Sequence, residues 1–234
     1  MMEKQTMRRL LTALALIIAA GPAAHAACKD EVASALERQR KTSGFRMQTK
    51  MLSEQGLVDM TVDYMLPNRM RQVVISTTDP KPVETIVVGR DAWSRIEGEE
   101  WRPLHPQIAD ALAAQMQETL GDDPGSLGAF ECLGKQAVAD KNLLAYQGEN
   151  VEPGPQNLTP GVADKPKLPD RPVRVIYVDP TTGLPMRSIF ARADKLDKPI
   201  FEAIYSYPAD IKIDIPKGPG PGPAPGTVKS GPAK

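Results

Sequence analysis

Between residues 45 and 65, apolar and polar side chains change places at almost every step. In 45–52, Phe45, Met47, Thr49 and Met51 alternate with Arg46, Gln48 and Lys50; in 57–65, Val58, Met60, Val62 and Tyr64 alternate with Asp59, Thr61 and Asp63. A period of two sends successive side chains to opposite faces of a strand, so both runs read as strands with one buried face and one wet face. Glu54-Gln55-Gly56 leaves room for a tight turn and none for a parallel crossover. A chain built on this pair is committed to an antiparallel meander.

The rest of the chain extends that pattern. Pro67-Asn68 turns the second run into a third at 69–77, and further runs follow at 83–89, 92–97, 129–138, 142–149, 173–179, 186–193, 200–207 and 210–215. Two segments switch to helical spacing. In Lys29–Lys41, Val32, Ala35, Leu36 and Gln39 make one weakly apolar stripe; in His105–Leu120, Ile108, Ala111, Leu112, Gln115 and Met116 mark a face behind an early-turn proline, Pro106. About eleven strands and two helices predict a mainly β, α+β fold. Residues 151–172 hold six prolines and read as a long surface loop; the Pro/Gly-rich tail 217–234 is too poor in apolar residues to order itself.

The N-terminus reads as an export signal. Lys4, Arg8 and Arg9 precede an apolar run from Leu10 to Ala20, Gly21-Pro22 breaks it, and Ala24-His25-Ala26 offers a small-x-small cleavage site. The run is far short of the roughly 20 residues that span a bilayer as a helix. Cleavage after Ala26 predicts a periplasmic mature chain, 27–216 plus the tail, that does not span the membrane. A rival reading makes Cys28 a lipidated N-terminus, but His25 stands where a lipobox wants an apolar residue. Cleavage removes three basic residues and one acidic one from a balanced chain, leaving a net charge of −2 and no basic field to attract nucleic acid. Cys28 and Cys132 survive cleavage, and two thiols in an oxidising compartment predict one disulfide.

Catalytic chemistry finds little to use. Only His105 remains after cleavage, which excludes a two-histidine metal motif, and no nucleophile-elbow, zincin or phosphate-loop pattern occurs. Asp59 with Asp63, and Asp122 with Asp123, are carboxylate pairs that read as solvated surface. No catalytic residue, metal site or cofactor is expected. The methionines left after cleavage are Met47, Met51, Met60, Met65, Met70, Met116 and Met186. Methionine serves both as gap-filler in cores and as adaptable lining for apolar ligands, and both readings stand.

The ordered set SGFRMQTKML, Gly56 to Tyr64, LPNRMR at 66–71, ETIVVGRDAW at 84–93, DPTTGLPMRSI at 179–189 and DIKIDIP at 210–216 resembles the periplasmic lipoprotein carrier (LolA) superfamily. The resemblance implies a strongly curved antiparallel sheet, an incomplete β-barrel, with an N-terminal helix and a lid-like helix over an apolar cavity for acyl chains. Transferred here, Phe45, Met47, Met51, Met60, Val62, Tyr64 and Met70 would line the cavity, and Leu112 and Met116 would face it from the lid. The family carries an arginine just before the proline of the Pro-Asn turn, where it latches the lid; here that position is Leu66, with Arg69 and Arg71 in a different register. The departure argues against dedicated transport of outer-membrane lipoproteins and for a paralogue.

Two functions follow as expectations. One is a periplasmic carrier or sensor of lipid, lipoprotein acyl chains or another apolar ligand. The other is a non-enzymatic structural or protein-interaction module of the cell envelope, with an envelope protein as partner.

Overall fold

The computed structural model describes residues 22–53, 56–120, 127–148 and 172–217. Helix α1 spans Pro22–Arg40. It is followed by β1 (Gly44–Ser53), β2 (Gly56–Met65), β3 (Arg69–Ser76), β4 (Val83–Val88), β5 (Asp91–Ile96) and β6 (Arg102–Pro103). Helix α2 (Pro106–Leu120) leads to β7 (Phe130–Val138), β8 (Lys141–Gly148), β9 (Pro172–Val178), β10 (Pro185–Arg192) and β11 (Phe201–Ser206).

Among the described residues, the eleven strands form one antiparallel sheet in the order β6-β5-β4-β3-β2-β1-β11-β10-β9-β8-β7. The expected hairpin is its centre: Phe45 lies opposite Tyr64, Met47 opposite Val62 and Thr49 opposite Met60. On its other side β1 takes β11, with Met47 opposite Tyr205 and Thr49 opposite Ala203, so the last strand joins the first. Gly44 opens β1 where a Cβ would stand 2.3 Å from the Tyr64 carbonyl oxygen; only glycine fits there.

Three expectations need correction. The strongly curved sheet, an incomplete β-barrel, is not observed: the ladder is open, neither closed nor strongly curled, with β6 and β7 as opposite edges. Closure is unnecessary because each half of the sheet has its own cover. One core packs α2 on the β1–β5 half, and a second packs α1 on β7–β9. The run 210–215 is not a strand. It crosses the face opposite the helices, where Ile211 and Ile213 pack with Ile86, Trp93 and Trp101, and the Ile213 carbonyl accepts a hydrogen bond from Arg69 Nη1 at 2.7 Å. Helix α1 begins at Pro22 rather than Lys29, because the alanine-rich stretch before Cys28 favours helix and proline suits its first position.

The cysteines are joined as Cys28–Cys132, with Cα atoms 5.5 Å apart, which ties α1 to edge strand β7. The Sγ that a lipid thioether on Cys28 would require is therefore engaged. The proline-rich stretch up to residue 171 and the tail from 218 lie outside the described residues, as does the export segment up to residue 21. Among the described residues, no helix is long and apolar enough to cross a membrane.

Candidate functional site

The strand register assigns each side chain to a face. Cross-strand neighbours put Phe45, Met47, Thr49, Met60, Val62, Tyr64, Met70, Val87 and Ala92 on the side that carries the helices. Phe45, Met60, Val62, Tyr64, Met70 and Met116 are buried in one cluster, with Met47 and Leu112 packed against it. Eight of the nine residues expected to line an apolar site are thus brought together. The ninth, Met51, is half-buried further along β1, beyond that cluster. Phe45 stacks on Tyr64 with ring centroids 4.7 Å apart, and Tyr205 and Tyr207 meet the same ring at 6.2 and 6.4 Å. Leu66, at the latch position of the resembled family, packs into this cluster as an ordinary apolar side chain. Of the other methionines, Met65 turns to the opposite face and Met186 to the core of β8–β10.

Helix α2 lies on β4 and β5 and buries Ala109, Ala113, Met116 and Leu120. The sequence points to a face one residue away: Ile108 and Ala111 are exposed, Ile108 to 42%. In an alanine-rich helix two neighbouring stripes satisfy the same spacing. The small stripe wins because Ala109 and Ala113 let the helix approach the sheet, while Met116, fully buried, fills the gap between them. His105 is the N-cap of this helix. Its carbonyl accepts from the Ile108 and Ala109 amides at 2.9 and 3.0 Å, and its Nδ1 accepts from the Gln107 amide at 3.4 Å. An exposed ion pair, Arg90 to Asp110 at 2.7 Å, adds a polar tie between α2 and the sheet. Burial, eased by Thr119, raises the Tyr64 hydroxyl well above the usual phenol range, so it stays neutral.

The opposite face carries closely paired charges beside its apolar clusters. Arg46 donates to both carboxylate oxygens of Asp63 at 2.6 and 3.0 Å, and Arg71 and Arg95 clasp Glu84 from either side at 2.7 and 2.8 Å. Arg187 pairs with Glu202 and lies over the Tyr177 ring. Asp63 is therefore a buried structural carboxylate rather than solvated surface; its period-two position reveals the face but not the arginine one strand away. A hollow of about 350 Å³ on this side is walled by the side chains of Gln48, Lys50, Asp59, Thr61, Glu202 and Ile204, with Thr49 and Met60 also bordering it. Another, of about 430 Å³, lies between α1 and the β9–β10 turn, lined by Glu31, Arg38, Tyr146 and Asp179 among others. The Tyr146 hydroxyl donates to Glu31 Oε2 at 2.6 Å beside it. Nothing in the sequence patterns pointed to that groove, because it is assembled from elements more than a hundred residues apart. Among the described residues, no group of three or more His, Cys, Asp or Glu side chains is placed to hold a metal ion.

No family model matches the sequence, and no curated protein matches it either. Solved structures do. The chain shares the fold of two mycobacterial proteins. The lipoprotein LppX of Mycobacterium tuberculosis is 10% identical, with 81% of this chain and 99% of LppX covered and a TM-score of 0.54. LprF of Mycobacterium bovis is 12% identical, with 82% of this chain and 98% of LprF covered and the same TM-score, 0.54. At these identities the likeness is one of fold. It selects no particular family or paralogue.

Proposed function

We propose that this chain is a periplasmic, non-enzymatic binding protein that carries or senses lipid, lipoprotein acyl chains or another apolar ligand. Helix α2 lifts from β4 and β5 to admit the ligand onto the apolar face of β1–β5. The observation that carries this reading is the convergence of Met47, Met60, Met70 and Met116 at the seam between helix and sheet. Thioethers on flexible stems can repack around chains of varied shape, whereas a core of branched residues would resist it. The fold held in common with the lipoprotein LppX supports the reading, as do the export-type N-terminus and the Cys28–Cys132 bridge, which suits an oxidising compartment. A specific observation favours the alternative, an interaction module of the envelope: the same residues fill one another's space as a packed core.

Ligand exchange through α2 can be tested directly. Arg90→Cys with Asp110→Cys, bridged by a short bis-maleimide, fastens the helix to the β4–β5 turn at an exposed site. The expected result is that the bridged protein no longer takes up a fluorescent fatty acid, while the same variant capped with N-ethylmaleimide takes it up as wild type does. Native mass spectrometry of protein purified from the periplasm should also show a stoichiometric acyl ligand. A bare protein that ignores the probe in every form would leave the interaction module as the function.

A further inference from the structure

On the helix-bearing face, one polar group stands apart. Thr49 sits in the middle of β1 between Met47 and Met51 on the same face, with Met60 opposite it on β2 and Ala203 opposite it on β11. It is 3% exposed, Met60 is 3% exposed and Ala203 is 1% exposed. Among the described residues, its buried Oγ1 has no hydrogen-bond partner. A buried hydroxyl normally finds a partner, since leaving it unpaired forfeits its hydration with nothing in return. Valine has nearly the same shape and a higher preference for strands, so packing alone does not call for threonine here. A group kept at a cost to the free protein is explained if a bound molecule completes it, and the surroundings restrict what that molecule can be. It must be apolar enough to lie among Met47, Met51 and Met60, and it must bring a hydrogen-bonding atom, which in an acyl ligand is an oxygen.

We infer that Thr49 is the polar anchor of the apolar site, donating a hydrogen bond to the carbonyl or carboxylate oxygen of an acyl ligand. The assignment rests on the acyl-ligand reading and narrows it: oxygen-bearing acyl chains, free or esterified, are held in preference to bare hydrocarbon of equal length.

The test is Thr49→Val in the full mature chain, measured by displacement of a polarity-sensitive dye with dodecanoate, methyl dodecanoate and dodecane, alongside the thermal midpoint. The expected result has two opposite signs. The variant melts a few degrees higher, because an unpaired hydroxyl has been removed. It binds dodecanoate and methyl dodecanoate about three- to tenfold more weakly, with dodecane unchanged. A loss confined to dodecanoate would still support the anchor and name the free acid as its ligand; a loss shared by both would name the acyl carbonyl. Unchanged affinity for both, or an equal loss for all three compounds, would overturn the anchor while leaving the carrier reading intact. Failure of all three to displace dye from wild type would overturn the carrier reading itself.

Discussion

Glu84 illustrates how much a single side chain depends on its neighbours across the sheet. It is 7% exposed, and burial alone would raise its carboxyl pKa. Hydrogen bonds and charge from Arg71 and Arg95 outweigh that and hold it below the ordinary carboxylate range. A folded pKa below the unfolded one stabilises the fold above about pH 4.3, the unfolded value, and that stabilisation disappears as pH falls through the folded pKa. Glu84→Gln should therefore lower unfolding free energy at pH 7 by about 2 kcal/mol, the scale of a charge-assisted pair, because it leaves two guanidinium groups facing each other. Urea titrations at pH 7 and pH 3 should show the gap between variant and wild type closing at the lower pH. A gap that stays constant would mean that the ion pairs contribute nothing. Leu66 makes the complementary point. Where the resembled family has a polar latch, this chain has an apolar side chain already absorbed by the core, so α2 is held by packing more than by a specific polar clasp.

Among the elements, the two helices are attached differently. Helix α1 is fixed at several points along its length. Cys28 is bonded to β7, Glu31 accepts from Tyr146 on β8, and Gln39 donates to Tyr207, whose hydroxyl in turn donates to the Pro185 carbonyl at 2.6 Å. Helix α2 relies on one narrow stripe, Ala109, Ala113, Met116 and Leu120, and an exposed ion pair. Met116→Ala should cost about 2–5 kcal/mol, as expected for a fully buried methionine. Ile108→Ala, on the exposed neighbouring stripe, should stay within about 0.5 kcal/mol. Denaturant titration of the two variants checks which stripe faces the sheet; equal costs would contradict the packing described. The disulfide makes a further prediction. The double variant Cys28→Ser with Cys132→Ser should lose up to about 4–5 kcal/mol, from the freedom restored to an unfolded chain cross-linked 104 residues apart. Wild type in strong reductant should unfold at the same denaturant concentration as that variant.

At the scale of the whole molecule, the open sheet holds, among the described residues, two cores on its helix side and two more on the other. Ten of the eleven strand runs, and both helices, were readable along the chain because period two and period 3.6 are local properties of a sequence. The face bearing Phe45, Met47, Met60, Val62, Tyr64 and Met70 was readable for the same reason: once a strand is assigned, alternation leaves no choice of side. The two-residue β6 carries no period at all. The run 210–215 alternates as a strand does, yet its apolar residues are satisfied by packing on the sheet instead of pairing with it.

What the sequence determined by itself, then, is the antiparallel meander, the apolar set on its inner face, the two helices and the pairing of the only two cysteines. Each follows from neighbours in the chain or from counting. The tertiary structure alone decided that β11 returns to β1, that the sheet stays open, which stripe of α2 is buried, that Asp63 and Glu84 are clasped by arginines, and that Thr49 is buried among methionines with no partner among the described residues. Those depend on residues far apart in sequence meeting across strands, and no local period records which strand will be the neighbour.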